Sequence, residues 1–480
     1  MFFGLNLISQ APARELRTEY TTYTDPFVEE GFRATMAPGS LERFTGWSRS
    51  YYTLQGHVES IMKFNKPLLP EPTEPKWSQI KEDSFAYFDL LPRVRSMSAK
   101  TDFDRVRFHQ STSAGYGYTL NPGPYPSHKG PPDGPNHKRA KRIASKIVFE
   151  CLQHRNDNTF DKFLRDLPGS TTPDIAFTRT QLAELPDTKI RNVFGECFHY
   201  VLLEGLFAMP LLDMFMENDT FYFIGADPLL GVPNLINRIP PRDQLFLTID
   251  WSGFDASVQP YEIDLAFDLL ESILLFPDVE TKLVFKYVRT IFMERKVLSP
   301  DGRLFLRKGG IPSGSYFTHM IDSIINWIRI RFLFSKHEIK YRTLKTHGDD
   351  CFAELEEFED DQINPMIDDG YNYGWIINRN KSQLNKDRSR VTFLGRSCVR
   401  GSSERDALKC LRLMLYPEYP VTDPQISIAR VKSIDYDSGY KIPEIIQVLR
   451  YLTTKYGDAN IELPREFRRY YDVYVANVSI

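Results

Sequence analysis

A glycine turn carrying two adjacent carboxylates, Gly348-Asp349-Asp350, lies between the strand-like flanks Tyr341-Arg342-Thr343-Leu344 and Cys351-Phe352-Ala353. This pattern predicts a β-hairpin with its charge at the tip. Asp is disfavoured in strands and neighbouring carboxylates repel, so a tip that is even half buried needs a compensating cation. A divalent metal is the economical candidate. Gly348 supplies the permissive backbone for a sharp turn and leaves both carboxylates free to project. Taken alone, the triplet would serve equally well as a solvated turn. The residues upstream decide between the two.

With 480 residues, 42% hydrophobic and 13% aromatic, the chain can bury a large core divided into two to four subdomains. Its formal net charge of -3 excludes a uniformly basic nucleic-acid binder, so any such contact must come from a local basic lining. Five scattered cysteines with no C-x-x-C spacing indicate neither a zinc knuckle nor a disulfide framework. The start lacks a basic n-region, and the most apolar run, Val193 to Met216, is interrupted by Glu196, His199, Glu204 and Asp213. The expectation is a soluble, intracellular protein with no membrane span.

Along the chain, Lys66 to Pro75 is a proline-dense connector, and Asn121 to Asn136 is a Pro/Gly-rich loop running into the basic helix start His137-Lys138-Arg139-Ala140-Lys141-Arg142. Such a basic run fits a solvated helix face or phosphate contact equally. Lys189 and Arg191 alternate, so in an extended segment they share one face, with Arg179 a further cation nearby. Leu245 to Asp250 is a short apolar strand ending in a carboxylate. Trp251-Ser252-Gly253-Phe254 then turns the chain to deliver Asp255, before Pro260 opens a helix. Lys308 to Gly314 is expected to be a flexible loop, followed by a two-faced helix. Its apolar stripe is Phe317, Met320, Ile321, Ile324 and Ile328, and its polar stripe is Thr318, Asp322 and Asn326. Short polar residues on such a stripe suit a lined cavity better than bulk water. Further on, Glu354 to Asp369 is an acidic helix-like segment, Arg390 to Val399 a strand, turn and strand, and Gly401-Ser402-Ser403 a boundary. The tail is helical by pattern over Ile442 to Tyr456 and ends in a basic and aromatic group around Arg465 to Tyr471.

A strand-end Asp250 held close to a hairpin-tip Asp349-Asp350 makes a site for two divalent cations about 3.5 to 4 Å apart, one activating an attacking oxygen and one steadying a leaving oxygen. Mg²⁺ prefers such oxygen ligands, with Mn²⁺ able to take its place. Phosphoryl transfer to a nucleotide is the natural chemistry of these parts.

The ordered set Asp250-x-x-x-x-Asp255, Ser313-Gly314-x-x-x-Thr318 and Gly348-Asp349-Asp350 resembles motifs A, B and C of viral RNA-dependent RNA polymerases. The wording Gly-Ile-Pro-Ser-Gly-Ser-Tyr-Phe-Thr over residues 310–318 is most similar to the partitivirus type, from small segmented double-stranded RNA viruses. The resemblance extends from about Ser111 to Arg396. Lys189-Ile190-Arg191 resembles the basic motif F, Ser113-Ala114-Gly115 motif G, Lys381 the lysine of motif D, and Phe393-Leu394-Gly395-Arg396 the motif E grip. Asp322 stands where picornavirus-like enzymes have Asn.

The resemblance implies an α+β right-hand polymerase with fingers, an antiparallel palm sheet with helices, and a helical thumb. Residues 1–240 would form an N-terminal extension and fingers, 241–400 the palm with a fingers insertion at about 277–308, and 401–480 the thumb. Asp250, Asp349 and Asp350 would hold two Mg²⁺ ions, with Lys381 as general acid. Arg179, Lys189 and Arg191 would meet the triphosphate. Asp255, Ser313, Gly314, Thr318 and Asp322 would meet the ribose, and Ser113, Gly115, Phe393, Gly395 and Arg396 the RNA. RNA template and product, NTPs and a viral capsid protein are the implied partners, in the virion interior and host cytoplasm. A reverse transcriptase would share the palm and metals but places a bulky barrier near Asp255. A structural RNA-binding or capsid protein would leave three ordered motifs to coincidence.

Overall fold

The computed structural model describes residues 3–13, 17–118, 128–187, 189–240, 245–356 and 363–458. Part of the expected Pro/Gly-rich loop, residues 357–362 of the acidic segment and the Arg465 to Tyr471 group lie outside them.

The predicted hairpin forms the heart of a four-stranded antiparallel sheet in the order Tyr341–His347, Asp350–Leu355, Leu245–Thr248, Gln383–Asn385. Leu245–Thr248 is buried at every position because both faces of the sheet are covered. Leu247, Ala353 and Leu355 join the main core on one face, while Phe246 and Phe352 pack with Val391 and Phe393 on the other. A one-residue slip in pairing would exchange these two sets, so the pattern fixes the register.

Two helices back the main-core face. Pro260–Ile273 begins as its sequence predicts, with Pro260 in the first turn and a reciprocal cap between Gln259 and Glu262. Thr318–Lys336 is buried nearly all round and is not two-faced as its pattern suggests, because Ser323, Asn326 and Arg329 find partners inside the protein. Arg329 forms a bidentate pair with Glu262, both bonds 2.7 Å, and reaches the Ser257 hydroxyl at 2.9 Å.

A second, five-stranded sheet runs Leu5–Gln10, Arg303–Lys308, Glu294–Leu298, Asp174–Thr180, Ile190–Gly195. It unites Leu5–Gln10, the hairpin of Glu294–Leu298 and Arg303–Lys308, and the two strands that carry Arg179 and Arg191. The Lys308 to Gly314 segment leaving this sheet is clamped where flexibility was expected. Arg307, fully buried, donates to the carbonyls of Gly309 at 2.6 Å, Gly310 at 2.8 Å and Phe292 at 2.7 Å.

The apolar run becomes the helix Phe198–Glu217, which by length and composition could cross a bilayer despite its charged residues. It is instead a core helix here, with 83% of its most apolar window buried within the protein. All five cysteines are buried and unpaired.

At the C-terminal end, Thr392–Phe393, Arg396–Val399 and Ser402–Glu404 make a small sheet, so the expected boundary at 401–403 is a third strand. Helices Ala407–Leu415, Pro424–Asp437 and Pro443–Tyr456 follow. The N-terminal helix Pro26–Thr35 returns to pack among them, placing Val28, Phe32 and Phe44 with Leu411, Met414 and Val448. Asp25, which caps that helix, is buried against Arg430 and accepts from the Ser427 hydroxyl at 2.7 Å. The proline connector starts beside the five-stranded sheet, where the Lys66 carbonyl accepts the Gly4 N–H at 2.9 Å, and leads to the helix Pro260–Ile273, where the Leu69 N–H donates to the Gln259 side chain at 2.9 Å.

Candidate active site

The hairpin tip is a two-residue turn in which His347 faces Asp350 and Gly348 adopts φ +62°. Asp349 and Asp350 remain solvent-reachable. Asp250 lies two residues past the end of its strand, half-buried, and is fastened by the 378–382 loop. Its N–H donates to the Ser382 hydroxyl at 3.0 Å, and its carbonyl accepts the Asn378 N–H at 2.7 Å. Lys381 Nζ stands 3.9 Å from Asp250 Oδ1, with most of its side chain in solvent.

These carboxylates feel one another. Enclosure by protein, with Asp349 and Asp250 nearby, pushes Asp350 up to about 6. Enclosure and Asp255 also raise Asp349, against the opposing pull of Arg191. Asp322 is held well above the carboxylate range by burial, then by Asp255 and Asp349, and its Oδ1 has no hydrogen-bond partner. Burial is the larger cause of each rise, and the neighbouring carboxylates add to it. Hard oxygen donors in that state fit a divalent cation such as Mg²⁺.

Among the described residues, the trio whose possible ligand atoms all lie within 4.8 Å is a different one: Asp104, Asp133 and His137. The Lys141 ammonium ion-pairs with both of those carboxylates, at 2.5 and 3.2 Å, and His137 Nδ1 accepts the Asp133 N–H at 2.9 Å. Lys141 thus offsets part of that trio's charge, while His137 Nε2 is buried with no hydrogen-bond partner.

Beside the carboxylates sits a second group. Gly253, at φ +67°, turns the chain into the short helix Phe254–Ser257, which presents Asp255. Asp255 Oδ2 accepts from Ser313 Oγ at 2.5 Å and pairs with Arg191 Nη2 at 3.3 Å. The Ser313-Gly314 loop lies against the strand that carries Arg191. The Phe194 N–H donates to the Ser313 carbonyl at 2.8 Å, and Gly314 sits at φ +129°, where an added Cβ would stand 2.3 Å from the Phe194 carbonyl oxygen. Thr318 turns its hydroxyl to the Pro312 carbonyl at 2.7 Å. Arg179 is directly opposite Arg191 in the ladder, and Lys189 and Arg191 are exposed while Ile190 and Asn192 between and beyond them are buried. The alternating cations therefore do share a face. Burial works against the Arg191 charge, but Asp255 and Asp349 outweigh it and strengthen the guanidinium's hold on its proton.

Of the expected RNA-contacting set, Phe393, Arg396 and Gly115 are buried. Phe393 is buried against Phe223 and Phe352, with ring centroids 5.4 and 5.9 Å away. Arg396 is buried and donates to the Asp437 carbonyl at 2.6 Å and carboxylate at 2.5 Å, so its charge ties the small sheet to the helix Pro424–Asp437. Gly395 makes the turn between them at φ +68°. Gly115 is buried, and a Cβ there would lie 2.6 Å from Cys197 Cα. Ser113 accepts the Gly115 N–H at 3.2 Å and pairs across a bridge with His128. Phe393, Arg396 and Gly115 are thus taken up in packing, while Gly395 is exposed and Ser113 half-buried.

Glu204 escaped the sequence reading. Its Oε2 accepts from Ser315 Oγ at 2.7 Å and the Tyr316 N–H at 2.8 Å, anchoring the Ser-Gly loop to the core helix. A lone acid within an apolar run was the signal, since a buried carboxylate requires partners.

Two antiparallel strands that bring acidic residues together, backed by helices and faced by a basic strand, define the right-hand polymerase architecture. The model of the viral RNA-dependent RNA polymerase family matches residues 33–453, and the chain belongs to that family. The RNA-directed RNA polymerase of Atkinsonella hypoxylon virus (isolate 2H) is 25% identical over 331 residues, covering 57% of this chain and 49% of that protein. That of Cryptosporidium parvum virus 1 is 30% identical over 227 residues, 44% of this chain and 42% of the relative. The chain thus spans about half the length of the curated relatives it matches. Among solved structures, the polymerase of a human picobirnavirus shares the fold with a TM-score of 0.64 at 16% identity, covering 92% of this chain and 85% of that one. The Sicinivirus 3Dpol polymerase does so with a TM-score of 0.67 at 15% identity, covering 98% and 99%.

Proposed function

We propose that this protein is an RNA-directed RNA polymerase, joining the α-phosphate of an NTP to the 3′-oxygen of a growing RNA with release of pyrophosphate. The observation that carries the reading is the meeting of Asp250 with Asp349-Asp350 beside the Asp255, Ser313 and Arg191 cluster. Asp250 and Asp349, assisted by Asp350, would hold two Mg²⁺ ions, which when bound activate the attacking oxygen and steady the leaving one. Arg191 would exchange Asp255 for the triphosphate, with Arg179 and Lys189 on the same face. Asp255 and Ser313 would take the ribose 2′-hydroxyl, with Asp322 and Thr318 on the helix behind them. Lys381 Nζ, close to Asp250, would give its proton to the departing pyrophosphate.

In this reading residues 1–240 form the N-terminal extension and fingers, 241–400 the palm with an insertion at about 277–308, and 401–480 the thumb. The wording of residues 310–318 supports a partitivirus-type enzyme that transcribes and replicates a double-stranded RNA genome. It would work inside the virion in the host cytoplasm, beside the capsid protein and away from membranes. Primed extension with Mg²⁺, offering NTPs or dNTPs on RNA and DNA templates, tests the activity. RNA-templated synthesis from NTPs, lost in Asp349→Asn, is expected. Near-normal extension by Asp349→Asn at saturating Mg²⁺ would refute the assignment.

A further inference from the structure

The ladder between the two acid-bearing strands ends before it reaches the acids. Leu245–Thr248 and Asp350–Leu355 pair through Leu245 with Leu355, Phe246 with Glu354 and Leu247 with Ala353. Asp250 lies three residues beyond the last pair on one strand and Asp350 three residues before it on the other. No ladder bonds therefore set the gap between the carboxylates, whose mutual repulsion acts to widen it.

Two buried side chains reach across that gap: the Cys351 thiol meets the Ile249 backbone, and Asn326 spans from the Trp251 indole to the turn. Asn326, fully buried on the helix Thr318–Lys336, accepts from Trp251 Nε1 at 2.9 Å, and Trp251 directly follows Asp250. The Asn326 Nδ2 donates to the Gly348 carbonyl at 2.9 Å and the Asp350 carbonyl at 3.2 Å, the two residues that bracket Asp349. One turn earlier, Ser323 Oγ accepts the Gly348 N–H at 2.8 Å, and the Ser323 carbonyl accepts from Thr346 Oγ1 at 2.9 Å. The helix thus grips the turn by its backbone and, through Asn326 alone of these two residues, extends the grip to the Asp250 strand.

We propose that Asn326 is the positioning residue that holds Asp250 at its working distance from Asp349 and Asp350, and so sets the affinity of the site for divalent cations. The inference rests on the reading of those carboxylates as metal ligands. Its chemistry matches the bond pattern: an amide supplies both the acceptor that the indole needs and the two donors that the carbonyls need, and neither Asp nor Leu offers both. Partners that orient metal ligands are typically worth about 10- to 100-fold in metal affinity.

The test uses Mn²⁺ as probe, its binding to the full-length RNA-free protein followed by electron paramagnetic resonance. Asn326→Ala should weaken binding about 10- to 100-fold. Trp251→Phe, which removes the indole donor and keeps an aromatic ring, should shift it in the same direction. In extension assays both variants should need more Mg²⁺ for half-maximal rate and recover most of the rate at high Mg²⁺. Ile328→Val, a buried change on the same helix, controls for lost stability and should leave Mn²⁺ binding unchanged. Unchanged binding in both Asn326→Ala and Trp251→Phe, or an equal loss in Ile328→Val, overturns the role of Asn326. Wild-type Mn²⁺ binding that survives Asp349→Asn overturns the metal reading itself, and this inference falls with it.

Discussion

Replacing Asp255 by Ala isolates sugar selection from the rest of the site. An ionised carboxylate only accepts, and a ribose 2′-hydroxyl can donate to it. The Asp255 side chain is already organised for this by the Ser313 hydroxyl at 2.5 Å and the Arg191 guanidinium at 3.3 Å. The Arg191 pair is half in solvent on the arginine side and contributes on the order of 1 kcal/mol or less. A hydrogen bond from the ribose to a charged acceptor contributes about 1.5 to 3 kcal/mol, so its loss should cost an NTP about 10- to 100-fold in kcat/KM. A dNTP never makes that bond, and the carboxylate keeps Ser313 and Arg191 as partners, so its removal should cost a dNTP little. The expected result is an NTP/dNTP ratio narrowed by about 10- to 100-fold, a part of the roughly 10⁴ to 10⁵ that a full set of hydroxyl-reading groups can reach. Freeing Arg191 would alter triphosphate binding for both substrates alike and cancels in the ratio. Asp322→Asn should hold the ratio within about threefold, because the buried Asp322 carboxyl is held well above the carboxylate range and an amide replaces the neutral acid isosterically. Single-nucleotide incorporation under pre-steady-state conditions measures both. Equal loss of NTP and dNTP use in Asp255→Ala would refute sugar selection by this residue.

Gly314→Ala should leave a folded protein with kcat/KM for NTPs lowered at least about tenfold. The position combines φ +129° with a backbone oxygen 2.3 Å from any Cβ, and such strain costs on the order of 1 to 3 kcal/mol. Wild-type kcat/KM would show that the loop does not need its seat on Phe194. Glu196 supplies a pH test. Burial first, and then the facing Glu204, hold its carboxyl well above the usual carboxylate range, against Arg295. The folded state thus keeps a proton that the unfolded state releases, and stability is greatest below the unfolded pKa and declines as pH rises toward the folded one. Glu196→Gln, which carries the equivalent donor permanently, should flatten the fall in urea midpoint as pH rises from about 5 upward. An unaltered slope in the variant would assign the proton elsewhere.

The order of the acidic motifs was legible because each sits where local chemistry is restrictive: a strand end, a glycine turn, a helix capped by proline. The alternation of Lys189 and Arg191 likewise survives into the structure as one exposed face. What local pattern could not show was pairing between distant segments. The five-stranded sheet draws residues 5–10, 174–180, 190–195, 294–298 and 303–308 together, and no periodicity within one strand names its neighbour. The same reason explains Phe393 and Arg396. Their turn looks like a surface grip until Phe223, Phe352 and Asp437, each remote in sequence, arrive to bury them. The helix Thr318–Lys336 misled in the opposite direction. Its short polar residues do line something, but Asn326 and Ser323 face the backbone of the hairpin and Arg329 faces Glu262.

Two buried frameworks meet at Asp255. One is the four-stranded sheet that carries Asp250 and the Asp349-Asp350 turn. The other ties the Ser-Gly loop to the basic strand and the hairpin of Glu294–Leu298 and Arg303–Lys308: Glu204 holds Ser315 and Tyr316, Glu204 and Glu196 face each other at the start of the core helix, and Arg295 joins Glu196 at 2.6 Å to Asp174 at 2.9 Å. The Ser313-Gly314 loop and the strand that carries Arg191 are therefore parts of one body, and an internal slip would strip partners from buried groups. Asp255 touches that body twice. Its side chain takes Ser313 and Arg191, and its carbonyl takes the Ile311 N–H at 2.8 Å, beside a second backbone bond of 2.8 Å from the Gly310 N–H to the Val258 carbonyl. Removing the Asp255 carboxylate leaves both backbone bonds in place, so the two frameworks stay docked and the variant should fold. A ribose that replaces Ser313 or Arg191 on that carboxylate changes the side-chain half of the junction alone. If Asp255 takes the ribose, an exchange of hydrogen bonds there would reach both the strand that carries Arg191 and, through the carboxylates it raises, the hairpin.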